Sequence, residues 1–63
     1  MANKNDVVTV TCYRETKTYK RADAMAFFLE GMAWCDPSSS EHNRYAKIYT
    51  ALARGETVVT DED

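Results

Sequence analysis

The sequence predicts a small α+β domain of order β-β-α-α-β, a three-stranded, mostly antiparallel sheet with an antiparallel helix pair on one face. Three observations predict it. A β-branched run over 7–13, Val-Val-Thr-Val-Thr-Cys-Tyr, alternates as a strand does. Two stretches, 22–35 and 41–52, carry apolar residues at spacings of three, four and seven, the signature of amphipathic helices. A second short β-branched run, Thr-Val-Val-Thr, follows the second of them. The 63 residues make one domain, 1–63, with an ordered core over about 7–60. That is close to the smallest size at which a chain without disulfides or metal buries enough apolar surface to fold alone.

Residues 1–6 are polar and expected to fray. In the first strand Val8, Val10 and Cys12 fall on one face, the expected core side, and Val7, Thr9, Thr11 and Tyr13 on the other. Arg14 to Lys17 reads as a polar break before a second strand at Thr18, Tyr19 and Lys20, with Tyr19 inward. A hairpin is the simplest connection, although no Asn-Gly or Asp-Gly pair marks its turn.

The central helix begins near Arg21 or Ala22, where Asp23 suits the positive end of the helix dipole. Met25, Phe28, Leu29 and Met32 are expected to face the sheet. Gly31 in the interior costs about 1 kcal/mol against alanine, which suggests close approach by another backbone. Pro37 stops the helix by Asp36. Ser38 to Glu41 has the S-x-x-E form of a capping box, with Ser38 as the cap. Tyr45, Ile48, Tyr49 and Leu52 then form the apolar stripe of the second helix, and Gly55 stands where a left-handed cap is wanted. The run 57–60 is expected to pair beside the first strand, and Asp61, Glu62 and Asp63 to form a mobile acidic end.

Hydrophobic residues make up 44% of the chain, charged residues 29%, and the net charge is −2, so nothing draws it generally to nucleic acid or membrane. With no secretory leader and no run of eighteen apolar residues, a cytoplasmic protein without a membrane partner is expected. Cys12 and Cys35 then read as reduced, buried thiols.

Taken together, Val-Thr-Val-Thr-Cys-Tyr, Thr-Lys-Thr-Tyr-Lys, Gly-Met-Ala-Trp-Cys-Asp, Ser-Glu-His-Asn-Arg-Tyr and Ala-Arg-Gly-Glu-Thr-Val-Val-Thr-Asp give a chain that resembles small uncharacterised proteins encoded on mobile elements of gut-type Firmicutes. The resemblance spans about 7–61. It implies a bacterial, cytoplasmic accessory protein and no particular site.

His42 is the only histidine, so acid-base chemistry near neutral pH would need it. Cys35, His42 and Asp36 can be drawn as nucleophile, base and orienter, but a cysteine closing an apolar helix is usually just buried. Cys12, Cys35 and His42 lack a fourth ligand and any C-x-x-C spacing for zinc. Gly31 and Gly55 are isolated, so no phosphate loop exists. No catalytic residue, cofactor or metal is expected, and the chain does not read as an enzyme.

Two surfaces are left. Phe27, Gly31 and Trp34 lie along one flank of the central helix, an aromatic patch with a glycine notch that suits a protein partner or a second copy. Packing against the second helix is the plainer explanation. Arg14, Lys17, Lys20 and Arg21, interleaved with Tyr13 and Tyr19, have the composition of a nucleic-acid-contacting ribbon. A charged edge strand explains them equally. The leading expectation is therefore a non-enzymatic protein-interaction or accessory module, with a homodimer as one form. A nucleic-acid-binding accessory protein is the alternative.

Overall fold

The computed structural model describes residues 6–62. The expected fraying of residues 1–5 and the mobility of Asp63 lie outside them. The elements are β1 (Val7–Cys12), β2 (Glu15–Lys20), α1 (Arg21–Trp34), α2 (Ser40–Ala53) and β3 (Val58–Thr60), and the sheet runs β2-β1-β3. Val8, Val10 and Val59 on the sheet close over Ala24, Phe28, Ile48, Ala51 and Leu52 of the helices. The helix pair covers one sheet face, and β3 pairs beside β1, as expected.

The sheet is mixed rather than mostly antiparallel. β1 and β2 pair antiparallel, but β3 lies parallel to β1, with Val10 opposite Val59. The reason is parity. Each of β2, α1, α2 and β3 reverses the chain, and four reversals restore the direction of β1.

The hairpin turn is also shorter than expected. Tyr13 and Arg14 alone make it, with φ of 54° and 65°, the paired left-handed conformation whose twist matches that of the flanking strands. Neither is glycine, asparagine or aspartate, which is why the turn hid behind a longer polar break. β2 accordingly starts at Glu15, and Cys12 faces it directly.

In α1 the buried line is Ala24 and Phe28, with Met25 half-buried, whereas Leu29 is 50% exposed. An almost wholly apolar helix offers several faces of correct spacing, and small Ala24 lets the backbone sit lowest on the core. Gly31 is approached by a ring and not a backbone: a Cβ there would lie 3.1 Å from Cδ2 of Tyr45.

At the corner, Asp36 Oδ1 accepts from the Ser38 amide at 2.9 Å and from its hydroxyl at 2.8 Å. These two bonds hold the Asp36 carboxyl below its ordinary pKa. Ser38 is thereby committed backward, and the cap of α2 falls to Ser39, whose Oγ accepts from the His42 amide at 3.1 Å. At the far end of α2, Gly55 takes φ 95°. There Arg21 donates to the carbonyls of Leu52 at 2.7 Å and Glu56 at 3.0 Å, and to Asp6 Oδ2 at 2.7 Å. The amides of Arg54, Gly55 and Glu56 bond the carbonyls of Thr50, Leu52 and Ala51 that the helix end leaves open, and the Arg21 guanidinium ties that end to the start of α1.

Candidate protein-interaction site

The residues that turn α1 away from the core are Ala22, Ala26, Phe27, Leu29, Ala33 and Trp34, all exposed, with Asp23 and Glu30 the only charges among them. Trp34 is 83% exposed and Phe27 57%. A helix apolar all round is ordinarily covered all round. Here only one side is covered, and the uncovered side carries the one tryptophan of the chain.

Beside this face opens a groove of about 160 Å³ between the hairpin and the helices. Its origin lies in the register. On the helix side of β2, Tyr19 stands opposite Val8, Lys17 opposite Val10 and Glu15 opposite Cys12. Lys17 and Glu15 are charged and paired at 3.1 Å, so the helices cannot roof them without stripping their water. The bond from Glu15 raises the Lys17 pKa. What remains is a slot walled by Tyr13, Tyr19, Phe27, Phe28 and Tyr45, with Val10 and Cys12 as its floor. The rings are already in mutual contact, Phe27 to Phe28 at 5.0 Å edge-on and Phe28 to Tyr45 at 5.8 Å, separations typical of favourable aromatic pairs. Burial raises the Tyr45 pKa.

One end of the groove is fixed by an acid that sequence reasoning assigned to a mobile tail. The Asp61 side chain is fully buried. It accepts from the Tyr13 amide at 2.9 Å and pairs with Arg44, whose guanidinium carbon lies 4.4 Å above the Tyr13 ring centre. Burial pushes the Asp61 carboxyl up, but the Tyr13 amide and the Arg44 guanidinium outweigh it and hold the pKa below the ordinary carboxylate range. Burial, and then the Asp61 charge, raise the Cys12 thiol. The available signal was register: with Thr60 opposite Thr11, the next residue must lie beside the turn.

The expected flank is divided. Phe27 and Trp34 are exposed together, but Gly31 faces the Tyr45 ring, so no open notch separates them. The four basic residues do not form one patch. Arg14 sits in the turn, Lys17 on the helix side of β2, Lys20 on its opposite face across from Val7, and Arg21 caps α2. Cys35 and His42 line a shallow hollow at the corner with Leu29, Met32 and Pro37, while Asp36 is turned to Ser38. Among the described residues, His42 Nδ1 is buried there without a hydrogen-bond partner. Cys12 lies elsewhere, under the groove, and no group of three metal-ligating side chains gathers among the described residues. The opposite sheet face presents Val7, Thr9, Thr11, Thr16 and Thr18, uncovered by any helix, with the hydroxyls of Thr11 and Thr16 at 2.9 Å.

Among the described residues no helix is long and apolar enough to cross a membrane. Comparison with known proteins returns no match, whether to a family model, a curated protein or a solved structure.

Proposed function

We propose that this chain is a non-enzymatic protein-interaction module that binds through the outward face of α1. The observation that carries the reading is Trp34, 83% exposed on a helix whose outward residues are otherwise alanine, phenylalanine and leucine with two acids. Tryptophan anchors are where interfaces concentrate their binding energy, and an exposed one gains on the order of 2 kcal/mol or more from cover. A bacterial, cytoplasmic accessory role, as the resemblance implies, belongs to the same proposal. The free thiols Cys12 and Cys35 suit a reducing compartment.

The test is co-purification of the tagged chain from bacterial lysate beside Trp34→Ala, with light scattering on both pure proteins. The expected result is a partner or a second copy held by the wild type and lost by a variant that stays folded by far-UV circular dichroism. A variant that keeps every association of the wild type overturns the reading.

Nucleic-acid binding through Arg14, Lys17 and Lys20 has less support, because these residues point in different directions and Arg21 is already engaged.

A further inference from the structure

We infer that the occupant of the α1 face is a second copy of this chain, and that Trp34 of each copy seats in the aromatic groove of the other. The inference rests on the interaction reading above and adds its partner and its geometry. Two features call for each other. One is an indole 83% exposed; the other is a slot of about 160 Å³ walled by five aromatic rings. An apolar cavity of about 150 Å³ takes one benzene-sized ring, so the slot has room for one of the two fused rings of Trp34.

Symmetry brings them together. Phe27 is both a wall of the groove and a residue of the exposed flank, seven positions before Trp34 on the same side of α1. A two-fold axis crossing the helix between Glu30 and Gly31 sets Phe27 of one copy against Trp34 of the other, twice over. That is the self-complementary pairing a closed dimer requires.

Area points the same way. Fourteen residues of helix are about 21 Å long and about 10 Å wide, roughly 200 Å² in projection, whereas a stable interface takes about 800 Å² from each partner. Helix-on-helix contact alone falls short. Insertion into the groove carries the contact over the hairpin as well.

The same axis brings the two Glu30 carboxylates close, so the dimer should tighten with salt and with Glu30→Gln. An interaction made of opposite charges would do the reverse.

The experiment is equilibrium sedimentation of the wild type, Trp34→Ala, Lys17→Phe and an equal mixture of the two variants, with Trp34 fluorescence as a second readout. Lys17 lies at the groove with its side chain 59% exposed, so phenylalanine there fills the slot without touching the core. The wild type should reach the mass of two copies, its emission shifting to shorter wavelength as it associates. Each variant alone should weaken association on the order of tenfold or more. The mixture should associate more tightly than either, because one intact tryptophan meets one intact groove. A wild type that stays monomeric with water-exposed emission overturns the inference. So does a Lys17→Phe protein that dimerises as the wild type does, or a mixture no tighter than its components. The interaction reading fails separately, if Trp34→Ala keeps every partner that the wild type captures.

Discussion

The carboxylate of Asp61 accepts the backbone amide of Tyr13 at 2.9 Å, tying the residue after β3 to a hairpin turn 48 positions earlier. The bond is fully buried on the acid's side, and Arg44 supplies the countercharge. Asp61→Asn should therefore cost about 2 kcal/mol, as losing a charged partner of a buried hydrogen bond does. In a domain this small that is a large share of the total stability. Urea unfolding at fixed protein concentration measures it; a loss under about 0.5 kcal/mol would place the site among ordinary surface positions.

The same pair sets an acid limit. Because the folded pKa of Asp61 lies below its unfolded value, near 3.9, its contribution is complete above that value and is lost as pH falls through the folded pKa. The wild type should lose stability below about pH 4 more steeply than Asp61→Asn, the two curves converging in acid. Parallel curves would show that other carboxylates dominate.

Ser39, not Ser38, caps α2. Ser39→Ala should cost about 1 kcal/mol, and Ser38→Ala, which removes only an exposed hydroxyl bond to Asp36, distinctly less. Thermal melts of the two variants decide it, and the reverse order would restore the cap to Ser38.

Arg14 holds φ 65° without being glycine. Arg14→Gly relieves a left-handed conformation that costs a side chain about 1 kcal/mol or more, and should raise the melting temperature. Tyr13→Gly should not, since it removes the ring beneath Arg44.

Arg21 and Lys20 are neighbours with opposite fates. Arg21→Ala takes one donor each from the carbonyls of Leu52, Gly55 and Glu56 and from Asp6 and should destabilise by on the order of 2 kcal/mol. Lys20→Ala should be nearly silent. The wild type should show no salt-sensitive affinity for DNA or RNA that Lys17→Ala or Lys20→Ala lowers, a point that fluorescence anisotropy at low salt checks.

Much of the architecture was legible in the residues. Val8, Val10 and Cys12 fall on the helix side because strand alternation admits only two choices and one of them is threonine-rich. The place of β3 follows from β1 being the most apolar strand; its direction did not, since an antiparallel strand was expected and four reversals make it parallel. The α1 face was harder to read. Where Ala22, Ala26, Leu29, Phe27 and Trp34 all lie outside the core, spacing alone cannot choose between sides, since nearly every side is apolar. The groove was concealed for a different reason: its charged rim, Glu15 and Lys17, was read as a turn, and a turn residue has no inward face. Asp61 was hidden because an acid in an acidic run looks solvated until its countercharge, Arg44, is known to stand beside it.

β3 is only three residues long, yet it covers the middle of β1, from Thr9 to Thr11, on the side away from β2. Were it to swing away, the run Val-Val-Thr-Val-Thr-Cys would be left with a bare edge, six residues without charge, proline or glycine. Such a segment templates strands from other chains and seeds aggregates. Asp61, clamped by Tyr13 and Arg44 one residue past the end of β3, keeps that edge occupied, so the pair that steadies the groove also guards solubility.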